Sequence, residues 1–170
     1  ERDMGIVLAD IGGGTTDIAI FIEGSIWHTV VLPTGGQQLT NDIAIGLQTP
    51  FETAETLKIR AGHTEPAKGF DHEMLEIAAF GEQGRQRVSR KFLAEIIQAR
   101  VEETFELIWQ EVKRTGYDSL LPAGVVLCGG TANLAGIKET AQNVLGLPVR
   151  LGQPQNLRGV IDNLNEPAYA

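Results

Sequence analysis

Residues 9–21 read ADIGGGTTDIAIF, with three consecutive glycines between Asp10 and Asp17 inside an otherwise hydrophobic strand pattern. Glycine weakens a strand through entropy and lost packing, so three in succession mark a turn needing positive φ or a place where something approaches the backbone closely. A dinucleotide-binding turn would place its glycines between a strand and a helix, and a P-loop would need G-x-x-x-x-G-K-[ST]. Neither occurs here. Residues 16–22 read as a second strand, so Gly12, Gly13, Gly14 and Thr15 form the tip of a β-hairpin. Such a tip presents backbone N–H groups with no side chains in the way, a concave donor site for phosphate. Thr15 and Thr16 add hydroxyl donors, and Asp10 and Asp17 are hard oxygen ligands able to hold magnesium through water. The competing reading is a turn that only needs flexibility, although a hairpin without a ligand usually manages with one or two special residues.

Working outward, residues 5–10, 16–22 and 25–32 are apolar or alternating runs joined by tight turns, Glu23-Gly24 being the second, which predicts an antiparallel meander. Residues 37–46 read as a short helix with Leu39, Ile43 and Leu47 at four-residue spacing. Thr49-Pro50-Phe51-Glu52 predicts the next helix, with Thr49 as N-cap, Pro50 at the first helical position, Glu52 completing a capping box and Gly62 closing the element. Residues 74–79 are compatible with a strand in a polar surround. From Ser89, the series Leu93, Ile97, Val101, Phe105, Ile108 and Val112 predicts a helix about 38 Å long, stopped by Gly116.

Residues 124–137 repeat the opening theme. A buried-type strand ending at Cys128 leads to Gly129, Gly130 and Thr131, then to a helix predicted over 134–145, whose N-terminal dipole would add to the exposed amides. A strand-to-helix turn using glycine for close packing is the alternative. A short strand at 149–151 completes the α/β pattern. The two glycine loops lie over a hundred residues apart, yet both follow central-type strands and are able to converge on one ligand.

Fourteen Lys and Arg against twenty-two Asp and Glu leave a formal charge of −8. That balance argues against a nucleic-acid partner. Cys128 is the single cysteine, so there is no disulfide framework, and a reducing compartment is expected. No apolar run approaches the roughly 18 residues a membrane helix needs, and Glu1-Arg2-Asp3 lacks signal-peptide character. The chain opens without methionine and enters a strand within a few residues, as though cut from something longer.

DIGGGTTD followed by LCGGTANLAGI resembles the second phosphate loop and the adenosine loop of the actin, Hsp70 and hexokinase ATPase superfamily. Within it, Thr40-Asn41-Asp42-Ile43-Ala44 with Gly46-Leu47, Thr49-Pro50 and Ala54-Glu55 is similar to the FtsA family of actin-like bacterial cell-division proteins. The resemblance covers essentially the whole chain and is weakest over residues 64–86. It implies an α/β actin-like ATPase lobe, a mixed RNase H-like sheet with flanking helices. Residues 1–35 plus 87–170 would be the nucleotide-binding subdomain IIA, with residues 36–86 inserted as a smaller α/β subdomain IIB. A family member also has a first lobe and a membrane-binding amphipathic tail. This chain looks like the second lobe, and Asn165-Glu166-Pro167-Ala168-Tyr169-Ala170 resembles the point where the chain crosses back to the first.

The resemblance implies ATP and magnesium as ligands. It places Asp10 near water or magnesium, with Asp17 as a second water-mediated ligand or a brace for the hairpin. Gly12, Gly13, Gly14, Thr15 and Thr16 would cradle phosphates. Gly35 and Gly36 match a ribose-side turn, Glu55 and Lys58 the helix lining ribose and adenine, Gly129, Gly130 and Thr131 the loop over the α-phosphate, and Asn133 a position near the base. Glu55 and Lys58 at i, i+3 also read as an ordinary surface ion pair.

The partners implied are the C-terminal tail of the tubulin-like FtsZ, other copies in an actin-like filament, and the membrane only through a tail absent from this chain. The full-length protein would sit in the cytoplasm at the inner membrane face of the division site. Arg85, Arg87, Arg90 and Lys91 offer four cations within seven residues beside Leu93, Ile96 and Ile97, which suits an acidic and apolar peptide. A solvated helix start is the plain alternative. Little ATP hydrolysis is expected from this lobe alone, because phosphoryl transfer needs charge stabilisation from both sides. His28, His63 and His72 lack metal-ligand spacing, and Trp27 and Trp109 read as structural. Other members of the superfamily remain as alternatives: a sugar or acetate kinase, which would need a catalytic carboxylate not found here, and a rod-shape or pilus actin homologue.

Overall fold

The computed structural model describes residues 4–79 and 84–152. The Glu1-Arg2-Asp3 opening and the Asn165–Ala170 crossing point lie outside the described residues. Strands β1 (Ile6–Ile11), β2 (Thr16–Ile22) and β3 (Ser25–Leu32) form the expected antiparallel meander. The turn between β2 and β3 has Glu23 and Gly24 both at positive φ, 51° and 78°. That pair matches the twist of a two-residue hairpin. Helices α1 (Gly36–Gly46) and α2 (Phe51–Ala61) follow, then β4 (Met74–Ile77), β5 (Gln86–Ser89), α3 (Arg90–Thr115), β6 (Val125–Cys128), α4 (Ile137–Leu145) and β7 (Val149–Leu151). The five-stranded sheet has the order β3-β2-β1-β6-β7, with β1, β6 and β7 parallel.

Burial alternates strictly along β2, where Ile18, Ile20 and Ile22 are buried and Asp17 is exposed. The buried face packs with Val7, Ala9 and Ile11 of β1 against Leu93, Ile97, Val101, Phe105, Ile108 and Val112 of α3, the series expected from the sequence. Burying each of these large side chains contributes about 1.5–3 kcal/mol. Leu39, Ile43, Leu47, Ala54, Leu57 and Ile77 join the same apolar cluster. Helix α3 is capped at its start by Ser89, whose hydroxyl accepts from the Phe92 amide, and at its end by Gly116 with φ 75°. Such a left-handed terminus favours glycine.

Three local expectations change. Pro50 has φ −56° and ψ 147°, so it is the N-cap and α2 begins at Phe51. Thr49 does not cap. It is fully buried, and its hydroxyl donates to the Ala78 carbonyl at 2.5 Å, tying the α1–α2 corner to the end of β4. The helix expected from residue 134 begins at Ile137, after a 3-10 turn over Gly130–Asn133 and a left-handed Gly136. The strand β5 carries only one apolar residue, Val88, and its pairing with β4 supplies what periodicity could not.

Candidate functional site

The site is built on the β1–β6 pair. These strands are parallel neighbours with Asp10 opposite Cys128, so the loops leaving their carboxyl ends emerge side by side, where open α/β sheets bind ligands. The hairpin tip is closed by the Gly12 amide donating to the Thr15 carbonyl at 2.9 Å. The Gly12 and Gly13 carbonyls accept the first two amides of α1, from Gly36 at 2.9 Å and Gln37 at 2.7 Å. A Cβ on Gly35 would lie 2.7 Å from the Gly12 oxygen and 2.8 Å from that of Gly13, so this junction is backbone against backbone. The third strand of the knot is Thr131, whose hydroxyl donates to the Gly12 carbonyl at 3.0 Å. Gly129, at φ 87°, would bring a Cβ to 2.6 Å from the Ile11 oxygen. Both its conformation and its contacts require glycine. Gly13 and Gly14 are exposed, and their amides make no hydrogen bond among the described residues.

Beside the knot, Lys58 Nζ reaches three acceptors: Glu55 Oε2 at 2.7 Å, Thr40 Oγ1 at 2.9 Å and the Gly36 carbonyl at 3.1 Å. An ammonium has three donors, so all are engaged. The Thr40 hydroxyl lies within reach of both the Glu55 carboxylate and the Gly36 carbonyl. Burial alone would raise the Glu55 carboxyl, but hydrogen bonds from Lys58 and Thr40, with the Lys58 charge, hold it below its ordinary value. The pair therefore links α2 to the start of α1 and is more than a surface ornament.

A cleft of about 570 Å³ opens over this arrangement. It is lined by Gly12, Gly13, Gly36, Glu55, Lys58, Gly130, Thr131 and Asn133. Gln37, Phe51, Ile59, Arg60, Gly62, Arg90, Leu134 and Ala135 complete its walls. Eight of the expected nucleotide residues thus share one cavity. Arg60, Phe51, Ile59 and Leu134 were not singled out from the sequence. Arg60 follows Lys58 by two positions, a spacing that places it on another flank of an isolated helix. Only the approach of residues 134–135 turns that flank into a wall.

Several residues take other positions. Thr16 is fully buried, and its hydroxyl donates to the Thr34 carbonyl at 2.8 Å, so it braces the connection from β3 to α1 and offers nothing to a ligand. Thr15 is exposed and donates to Asp17 Oδ2 at 3.2 Å. Gly14 and Thr15 lie at the tip, outside the cleft lining. Asp10 and Asp17 are direct cross-strand partners. Burial raises the Asp10 carboxyl, and the neighbouring Asp17 charge raises it further. Among the described residues no group of three His, Cys, Asp or Glu is placed to hold a metal. Burial followed by the Asp10 charge pushes the Cys128 thiol up to about 11. His63 is held below its usual value, first by burial, and accepts the Glu65 amide at 3.0 Å.

The four cations near α3 are largely engaged at home. Arg85 faces Glu76 at 3.7 Å, Lys91 pairs with Asp71 at 2.6 Å, and Arg90 Nη1 donates to both Glu73 carboxylate oxygens at 2.8 and 2.9 Å. Arg87 is exposed and opposite Glu76 in the β4–β5 register. The dense basic patch of the sequence is thus a set of mostly paired cations, with Arg90 turned to the cleft.

Comparison with known proteins fits this geometry. A family model described as cell division protein FtsA matches residues 7–170. The chain is 44% identical over 170 residues to cell division protein FtsA of Pseudomonas aeruginosa, covering 100% of this chain and 41% of that protein. It is 36% identical over 177 residues to the Escherichia coli protein of the same description, covering 100% of this chain and 42% of that one. The chain therefore spans about two fifths of the length of these relatives. Among solved structures, ethanolamine utilization protein EutJ from Carboxydothermus hydrogenoformans is similar with a TM-score of 0.62 and 30% identity, over 87% of this chain and 44% of that one. MreB5 of Spiroplasma citri bound to ADP is similar with a TM-score of 0.71 and 19% identity, over 88% of this chain and 49% of that one. The second likeness is one of fold, an actin-like mixed sheet flanked by helices.

Proposed function

Because this chain belongs to the FtsA family of cell-division proteins, we propose that it forms the second lobe of an actin-like nucleotide-binding protein and holds ATP in the cleft between its two glycine loops. The observation that carries this reading is the convergence of Gly12–Gly13, Gly36, Lys58 and Gly130–Thr131 on one cavity. The free amide of Gly13, which lines the cleft, suits a phosphate oxygen. The apolar walls from Ile59 and Leu134 suit a base. ADP and AMPPNP in structures of MreB5 of Spiroplasma citri support the ligand class.

The donor set also fits magnesium held chiefly by phosphate oxygens and water. Asp10, raised by burial and by Asp17, is the carboxylate that a nearby cation would relieve. When bound, the ion would neutralise phosphate charge. The residues of this chain would orient the phosphates and exclude water from one side only. Hydrolysis by this lobe alone is therefore expected to be slow, the opposite side of the phosphates coming from a first lobe.

In this reading residues 36–86 act as subdomain IIB and residues 1–35 with 87–170 as subdomain IIA. The lobe works within filaments of the family protein. The FtsZ C-terminal tail is the partner proposed for the β4–β5 side, where Arg85 and Arg87 are the exposed cations. Membrane attachment at the division site, from the cytoplasmic face, belongs to the same reading. Family membership supports these assignments, and the position of Arg87 supports the docking side.

The test is a titration of MgATP against the chain and against its Gly130→Val variant. Gly130 lines the cleft, and a Cβ there meets no protein atom within 4 Å, so the branch point of valine enters ligand space without a clash, and thermal unfolding checks that the variant is folded. Saturable binding that is lost in the folded variant supports the reading. Binding that survives the substitution unchanged, or no binding by the parent, overturns it.

A further inference from the structure

Arg90 occupies an unusual junction. It is one of the residues that line the cleft, yet its guanidinium is held by a segment, residues 70–73, that does not line it. Nη1 donates to both Glu73 carboxylate oxygens at 2.9 and 2.8 Å, and the Arg90 amide donates to the Glu73 carbonyl at 2.9 Å. The guanidinium lies 4.2 Å from the centre of the buried Phe70 ring. On the third side Nε donates to the Ala61 carbonyl at 3.2 Å, in the last turn of α2. One planar group therefore joins α2, the 70–73 turn that leads into β4, and the first residue of α3.

We propose that Arg90 is a positioning residue that couples occupancy of the cleft to the order of the 70–77 segment and the β4–β5 hairpin. Nη1 and Nε belong to one rigid planar group, so displacing the guanidinium on the Glu73 side changes its fit on the Ala61 side. Nη2 makes no hydrogen bond among the described residues and is the donor left for an anionic or polar ligand group. Ligand contact that immobilises the guanidinium stabilises its hold on Glu73 and Ala61. By linkage, loosening Glu73 must weaken the ligand by the same factor. Lysine in place of Arg90 would keep the charge but lose the second, separately placed nitrogen that reaches the Ala61 carbonyl. The ligand half of this proposal rests on the nucleotide reading given above, whereas the bridge from Glu73 to α2 does not.

Hydrogen exchange and nucleotide titration on the full 170-residue chain test both halves, using parent, Glu73→Gln and Lys91→Met. Glu73 is half exposed and outside the cleft, so its variant should fold, and Lys91→Met breaks the neighbouring ion pair with Asp71 as a control. In the parent, MgADP should slow exchange of the β4 and β5 amides. Glu73→Gln should abolish that slowing and weaken MgADP binding about fivefold, while Lys91→Met leaves both unchanged. Identical affinity and identical ligand-induced protection in Glu73→Gln would overturn the proposal. If the parent binds no nucleotide, the nucleotide reading fails and the ligand-free comparison decides. Faster exchange of the last turn of α2, residues 58–62, in Glu73→Gln then upholds the bridge, and unchanged exchange there removes it.

Discussion

The hydroxyl of Thr131 donates to the carbonyl of Gly12 across a sequence separation of 119 residues. Replacing Thr131 by valine keeps the shape and removes the donor. The Gly12 oxygen retains the Gly36 amide, so the expected loss is about 1 kcal/mol, seen as a fall in Tm of about 2–4 °C. Nucleotide affinity should fall as well, because Thr131 lines the cleft. A variant with parental Tm and parental affinity would show that the loop is held without this bond.

Lys58→Met removes the cation that holds the Glu55 carboxyl below its ordinary value of 4.5. A lowered folded-state pKa contributes stability that is present above the unfolded value and lost as pH falls through the folded one. The parent should therefore lose this contribution only below pH 4.5. In Lys58→Met the share of Lys58 is gone and only the Thr40 hydrogen bond still favours the carboxylate, so the difference in Tm between the two proteins should shrink as pH falls below that value. A constant difference over this range would mean that Lys58 acts through packing alone.

Asp10→Asn should move stability and binding in opposite directions. Burial and the opposing Asp17 raise the Asp10 carboxyl, so its ionised form destabilises the folded chain as pH rises through the unfolded and then the folded value. The amide removes that penalty, and Tm at pH 7 should rise. The magnesium-dependent part of ATP affinity should drop at the same time. A variant that is less stable, or equally responsive to magnesium, would exclude Asp10 from this role.

For the partner side, an Arg85→Glu, Arg87→Glu double variant should weaken binding of an FtsZ-tail peptide about tenfold or more, measured by fluorescence anisotropy. Lys91→Glu should do less, since Lys91 is already matched with Asp71. Its loss should scarcely change Tm, as exposed pairs contribute about 0–1 kcal/mol. A greater effect from Lys91 than from the pair would move the docking surface towards the start of α3.

Much of the molecule is legible residue by residue. The alternation in β2, the four-residue rhythm of α3 and the glycine tip between two strands are written in local periodicity, because strand and helix repeats depend only on near neighbours. The same locality explains the misreadings. Thr49-Pro50 carries the signs of a cap, yet burial against β4 gave Thr49 a better acceptor in the Ala78 carbonyl. Thr16 is chemically equivalent to Thr15 in the sequence, but the pleat turns it inward to Thr34 while Thr15 stays at the tip.

The amino-acid order alone determined that two glycine loops follow two buried strands, and that each is suited to a close approach by phosphate. Their meeting was settled by the fold, through the parallel pairing of β1 with β6 and the packing of α1 on the hairpin tip. So were the partners of the charged groups. Arg85, Arg90 and Lys91 are interchangeable as a run of cations, and only their different surroundings make Arg90 a wall of the cleft while Lys91 pairs with Asp71 at the surface. A side chain's ligand is the acceptor that burial and geometry leave nearest to it, and that acceptor is chosen by contacts across tens of residues that no local pattern encodes.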